Sequence, residues 1–177
     1  MVAASRAGGK YFGSPNVAAV MIPVRRLNHA VLFVSDVDRA VDFYEKAFGF
    51  TVAAREMGGR AAFLRAADSG NHHDLGLFEA PGAPHPPTGS VTGLYHLAWE
   101  VPTVADLAAA RETLQLLGAH TGESDHGATL SVYGADPDGN EFEVMWQLPT
   151  EQWAEHDNAA PVRQLDMTAA LARHGSG

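Results

Sequence analysis

With 177 residues, 46% apolar content, 8% aromatics and no cysteine, the chain can bury a core but cannot use disulfides, thiolate metal sites or a cysteine nucleophile. Its formal charge of -9, from 21 acidic and 12 basic residues, argues against a nucleic-acid partner, because phosphate binding needs a basic face. No apolar run approaches the roughly 20 residues that span a bilayer and no secretory signal is present, so a cytoplasmic location, no membrane association and a small-molecule ligand are expected.

Residues 1–22 are rich in Ala, Gly and Ser without periodicity and read as a flexible extension. Leu27 to Val34 is β-branched and aromatic, the composition of a buried strand, with His29 at its third position. Ser35, with Asp38 three residues on, offers a helix cap, and Val37, Ala40, Val41, Tyr44 and Phe48 fall on one helical face ended by Gly49. Strand-like runs follow at Thr51–Arg55, Arg60–Arg65 and Asp74–Glu79, the last two joined through the polar turn from Ala67 to Asn71. A proline-rich linker, about Ala80 to Gly93, comes next.

The same grammar then recurs. Leu94 to Val101 is a second strand with His96 at its third position, followed by a Thr103–Asp106 cap, a helix carrying Val104, Leu107, Ala110, Leu114 and Leu117, and a stop at Gly118. Strands are expected at about 119–123, 129–133 and 141–147, the last two joined by Asp136-Pro137-Asp138-Gly139-Asn140. Leu27, His29, Val34 and Val37 map onto Leu94, His96, Val101 and Val104 at a constant offset of 67. The expected fold is α+β: two βαβββ modules, about 25–80 and 92–148, forming an open mixed-sheet barrel within one domain spanning 23–148. Residues 149–177 are a tail, weakly helical from Leu165 to His174, that either covers a cavity mouth or meets another subunit.

His29 and His96 hold equivalent places in the two first strands, so a pseudo-twofold packing of the halves would turn both imidazoles to a common interior. Glu143 lies in the last strand, with Phe142 and Val144 facing the other way by the period of two. Two imidazoles and one carboxylate suit Fe(II) or Mn(II) and leave coordination positions open. Taken singly, a histidine in an apolar strand is more often structural, and a strand glutamate more often solvated. Their joint placement is the argument, because burying all three costs desolvation unless a partner such as a metal offsets it.

On these residues the stretch from about Arg25 to Gln147 resembles the vicinal oxygen chelate superfamily, which includes glyoxalases, bleomycin-resistance proteins and extradiol dioxygenases. Within it, His29, His96 and Glu143 match the metal-ligand positions. His126, Val132-Tyr133, Asp136-Pro137, Gly139 and Glu143 resemble the extradiol dioxygenase signature, with Ser124 as a departure two residues before the histidine. The resemblance is to a short, single-domain catechol 2,3-dioxygenase. It implies Fe(II), or alternatively Mn(II), a catechol-type substrate cleaved beside its diol by dioxygen, and His126 and Tyr133 as hydrogen-bonding catalytic residues.

His72-His73-Asp74-Leu75-Gly76-Leu77-Phe78 resembles the strand that gives such enzymes their acid/base, which assigns that role to His73. Aligning the halves through Gly70-Asn71 and Gly139-Asn140 instead makes Asp74 the counterpart of Glu143 and points His72 toward the metal. Phe63, Leu77, Trp99, Trp146 and Trp153 are either ring-pocket residues or plain core. His85, His120, His156 and His174 are assigned to surface or tail. A homodimer or higher homo-oligomer is expected. Two rival functions remain: a glyoxalase-like isomerase or lyase, with a fourth ligand near Asp74, and a metal-free drug-sequestering protein.

Overall fold

The computed structural model describes residues 22–82, 92–156 and 161–175. The extension before residue 22 and the centre of the linker, including His85, lie outside the described residues. The first half runs β1 (Ala30–Val34), α1 (Val37–Phe48), β2 (Thr51–Glu56), β3 (Ala61–Arg65) and β4 (Leu75–Glu79). The second runs β5 (Leu97–Glu100), α2 (Val104–Leu116), β6 (His120–Asp125), β7 (Thr129–Ala135) and β8 (Glu141–Gln147). A 3-10 segment, Thr150–Glu155, and α3 (Met167–His174) complete the chain.

The architecture is α+β, and each half has the βαβββ order expected. Each forms its own four-stranded mixed sheet, ordered β1-β4-β3-β2 and β5-β8-β7-β6, and the two sheets do not close on one another. In both, the first strand pairs in parallel with the last, and the other pairings are antiparallel. Ala30 lies opposite Leu75, and Leu97 opposite Phe142, so strand register repeats at the same offset of 67 as the sequence.

Both first strands begin later than expected, at Ala30 and Leu97, which leaves His29 and His96 each one residue ahead of its strand. The cap of α1 is Asp36, whose side chain accepts from Arg39 N at 3.0 Å, and not Ser35. Ser35 turns instead to Asp138 across the module boundary. The Thr103–Asp106 cap of α2 forms in both directions as a capping box. Gly49 and Gly118 adopt the left-handed conformation that ends each helix.

Strand alternation decides which face is buried. Leu32 and Val34 of β1 point into the core while Val31 and Phe33 point out. Likewise Phe142, Val144 and Trp146 of β8 are buried, and Glu143 and Met145 lie on the opposite face. The buried faces and helices of both modules share one apolar cluster, in which Phe48 contacts Phe142 at 5.1 Å and Trp99 at 6.1 Å between ring centroids. Each large apolar side chain taken out of water there contributes about 1.5–3 kcal/mol.

Buried polar bonds lock the modules together. Asp138 accepts from Ser35 N at 3.1 Å and Ser35 Oγ at 2.6 Å, and Tyr44 donates to Asp136 at 3.2 Å. Burial, followed by the Asp136 charge, pushes the Tyr44 phenol far above its ordinary pKa, so it remains a donor. No helix among the described residues is long and apolar enough to cross a membrane.

Candidate functional site

Because the helices of both modules meet in a shared core, the other face of each sheet looks away from that core. On the first sheet this outward face carries Val31, Phe33, Gly76 and Phe63, with His29 at the entry to β1. On the second it carries Ala98, Glu143, Tyr133 and Ser131, with His96 at the entry to β5. The candidate chemistry therefore sits on two outward faces.

On the second face, His96 Nε2 stands 2.9 Å from Glu143 Oε2, and Glu143 Oε1 also accepts from the buried Ser131 hydroxyl. Ser131 was not anticipated from the sequence. The available signal was its position two residues before Tyr133, which puts both on one face of β7. His96 Nδ1 is buried without a hydrogen-bond partner, so the ring is satisfied at one end only.

Tyr133 lies opposite Glu143 in the β7–β8 pairing, and its hydroxyl is 2.8 Å from His126 Nε2. His126 Nδ1 is 2.8 Å from the Pro161 carbonyl, which can only accept, so the hydrogen resides on Nδ1. The Tyr133 hydroxyl then donates to His126 Nε2, leaving the phenolic oxygen as an acceptor toward the open face. Burial, followed by the Glu143 charge, raises the Tyr133 pKa, while a bond with Ser131 acts in the opposite sense. The C-terminal segment thus contributes to the site by fixing His126. It reaches there because Arg163 bridges to Asp125 at the end of β6.

The first face holds His29 and His73, with ring centroids 4.6 Å apart. His29 Nδ1 is 2.9 Å from Asn28 Oδ1, whose own amide donates to Asn71, so His29 Nδ1 carries the hydrogen and Nε2 is free to bind a metal. His73 also contacts the Phe63 ring at 4.9 Å. It precedes β4, so strand alternation does not govern its direction, and it lies beside His29 while the more exposed His72 flanks it. Burial lowers the His73 pKa, helped by the neighbouring His29 and His72 and opposed by Asp74, so neutral His73 can accept a proton.

Register corrects the alignment through the two Gly-Asn turns. The counterpart of Glu143 is Gly76, not Asp74, because Phe63 faces Gly76 as Tyr133 faces Glu143. A Cβ at Gly76 would lie 3.2 Å from Val31 and 3.6 Å from Phe63, so apolar side chains fill the place of a fourth ligand. Asp74 is buried, and its oxygens are taken up by Ala66 N at 2.9 Å, Ser69 Oγ at 2.7 Å and Asn71 Nδ2 at 2.7 Å. Of the aromatic and aliphatic candidates for a ring pocket, Phe63 stands on a site face, whereas Leu77, Trp99 and Trp146 pack into the core.

The chain brings together His96, Glu143, Tyr133 and His126 on one face, and His29 with His73 on the other. It does not join the two sets: among the described residues, no group of three or more His, Asp or Glu side chains is placed to hold an ion. As donor types, two imidazoles and a carboxylate fit Fe(II) or Mn(II), with His96 and Glu143 already in contact. Two cavities of about 270 Å³ lie elsewhere, one between α1 and α2 and one beneath the C-terminal segment, and neither is lined by these residues.

Known proteins share this fold. The sequence profile of the Glyoxalase/Bleomycin resistance protein/Dioxygenase superfamily matches residues 26–144. A catechol-2,3-dioxygenase of Bacillus subtilis is 35% identical over 127 residues, covering 72% of this chain and 43% of the relative. A 3-methylcatechol 2,3-dioxygenase of Pseudomonas putida is 31% identical over 160 residues, covering 81% of this chain and 50% of the relative. The chain thus spans half or less of the length of these two relatives. A glyoxalase/dioxygenase crystal structure from Nostoc punctiforme shares the fold, with a TM-score of 0.62 at 21% identity over 75% of this chain and 99% of its own. With the paired modules, the 67-residue register and a profile match over most of the described core, this chain belongs to the Glyoxalase/Bleomycin resistance protein/Dioxygenase superfamily.

Proposed function

We propose that the protein is an Fe(II)-dependent extradiol dioxygenase, cleaving the ring of a catechol-type substrate beside its diol. The observation that carries the reading is the second face: a histidine and glutamate in contact, with a tyrosine–histidine pair beside them. The dioxygenase names of the Bacillus and Pseudomonas relatives support it. His29, His96 and Glu143 would hold the metal, with Mn(II) the other ion suited to them. When bound, the metal supplies a template for diol and dioxygen, a path for electrons and a lowered phenol pKa.

The remaining chemistry falls to the chain. Ser131 fixes the Glu143 carboxylate, and Asn28 fixes the His29 ring. The Tyr133 oxygen accepts a hydrogen bond from one substrate hydroxyl while its own hydrogen is directed to His126 Nε2, which orients the ring and opens a route for a proton. His73, neutral beside His29, takes a substrate proton and returns it as the ring opens. An isomerase with a fourth carboxylate ligand is disfavoured by Gly76 at the corresponding place.

The test is anaerobic loading with Fe(II), addition of catechol, then admission of air. Oxygen uptake with growth of a yellow ring-opened product is expected. No uptake with several catechols, in protein shown to contain iron, would remove the reading.

A further inference from the structure

We propose that the cavity beneath the C-terminal segment binds a small oxyanion, a carboxylate or a phosphate, which clamps that segment onto the turn carrying His126. The cavity, about 270 Å³, is lined by Arg163 and Arg173, with His156, His174 and the Gln152 amide beside them. At about 30 Å³ for each liquid water it has room for roughly nine, so a small acid fits and a nucleotide does not. Among the described residues neither Arg163 nor Arg173 pairs with a carboxylate, although the chain carries 21 acidic residues against 12 basic ones. Arg173 also suits the last turn of α3, where a cation meets the helix C-terminus, but Arg163 lies outside any helix and has no such role. Two guanidinium forks lining one cavity are the donor arrangement that recognises an oxyanion. Asp125, the one carboxylate on the lining, is engaged by the backbone: its Oδ1 accepts from Gly127 N at 2.7 Å.

The cavity lies on the core side of the second sheet. Its wall includes Leu130, which faces Trp146 in the β7–β8 register, and both point away from the face that carries Ser131, Tyr133 and Glu143. A ligand here acts on that face through the backbone and not by touching substrate. Asp125 and Arg163 exchange two backbone hydrogen bonds, Asp125 N to Arg163 O at 2.9 Å and Arg163 N to Asp125 O at 3.1 Å. Gly127, at φ 83°, lies so close to His156 that a Cβ would stand 2.7 Å from its Nδ1. Between these two anchors, His126 is held by the Pro161 carbonyl at 2.8 Å and bonded to Tyr133. An oxyanion shared by Arg163, Arg173 and His156 ties α3 and the segment before it to this turn, and so restricts His126 and the direction of the Tyr133 hydroxyl. Burial, followed by the Arg173 charge, lowers the His174 pKa, and the second cause is the positive potential that an oxyanion offsets.

Trp146 lies 5.0 Å from His174 between ring centroids, and Trp153 donates to the Leu148 carbonyl at 2.7 Å, so tryptophan fluorescence reports on the cavity. The experiment titrates the full chain with sodium succinate and, separately, sodium phosphate, holding ionic strength constant with sodium chloride, and follows fluorescence, Tm and hydrogen exchange. A saturable fluorescence change is expected with at least one anion, together with a Tm raised by about 3–6 °C at about ten times its Kd. Exchange at the Asp125 and Arg163 amides should slow. Tighter binding of succinate identifies a carboxylate ligand, and tighter binding of phosphate a phosphate ligand. Arg163→Gln and Arg173→Gln, both at exposed positions, should keep wild-type circular dichroism and weaken binding by about ten-fold or more, whereas Arg60→Gln, exposed in the first module, should leave it unchanged. No saturation beyond chloride with either anion, or binding that survives both Arg163→Gln and Arg173→Gln, overturns the site. Binding without slower exchange overturns the clamp. None of these readouts needs iron or catechol, so failure here leaves the proposed ring cleavage standing, and failure of ring cleavage leaves the anion site standing.

Discussion

Replacing Asp138 with alanine should weaken the protein at the junction of its modules. The Asp138 side chain is 7% exposed and accepts two hydrogen bonds from Ser35, at 2.6 and 3.1 Å, and one from Arg39 at 2.7 Å. Arg39 is 49% exposed, so its pairing is screened and contributes less than about 1 kcal/mol. The Ser35 bonds go to a charged, nearly buried acceptor, where each is worth about 1.5–3 kcal/mol and the pair less than their sum. A loss of about 2–3 kcal/mol follows, equivalent to a fall of roughly 5–10 °C in Tm for a chain of this size.

Urea unfolding followed by tryptophan fluorescence measures it, with Trp99 at the junction as reporter. The midpoint should fall with an unchanged slope. Asp42→Ala is the control: its bond to Lys46 is as short, 2.6 Å, but both groups are mostly exposed, and stability should change by less than about 0.5 kcal/mol. Equal losses in the two variants would refute the argument that burial decides.

His73→Phe should keep iron content while slowing turnover by about 10²–10⁴-fold, and unchanged kinetics would transfer the acid/base role to His72 or remove it. Tyr133→Phe should lower kcat by about 10²-fold with less effect on KM, and a pure KM effect would reduce Tyr133 to a binding residue. Asp74 is buried, which opposes ionisation, but bonds from Ser69, Ala66 and Asn71 and the charge of His73 more than offset this and set its pKa below the ordinary carboxylate value. With the folded value depressed, its stabilisation is present above the ordinary value and lost as pH falls through the depressed one. The stability difference between wild type and Asp74→Asn should therefore shrink in acid, and a constant difference would contradict this.

The module plan was legible because helix caps, turn residues and the 67-residue offset are local signals that recur, and strand register preserves them. Capping of α1 was less so: Ser35–Asp38 and Asp36–Arg39 are both plausible locally, and only the distant Asp138 draws Ser35 away. Equating the two Gly-Asn turns misplaced the counterpart of Glu143 by two positions, since the β3–β4 connection is longer than the β7–β8 connection. Alternation set Glu143 on the strand face opposite Phe142 and Val144, whereas Tyr133 followed only from the family resemblance, and its place across from Glu143 comes from the β7–β8 register. Alternation says nothing of how two sheets are oriented, so the separation of His29 from His96 within one chain had no sequence signal. The packing of Phe43 and Phe48 against Phe142 sets that orientation.

In the proposed ring cleavage both atoms of dioxygen enter the ring-opened product. Iron-loaded protein supplied with catechol under ¹⁸O₂ tests it directly, by mass spectrometry of the product after a few turnovers. A ring-opened acid aldehyde carrying two heavy oxygens is expected, once exchange of the aldehyde oxygen with water is corrected for. An unlabelled product, or turnover of catechol that continues without oxygen, would contradict it.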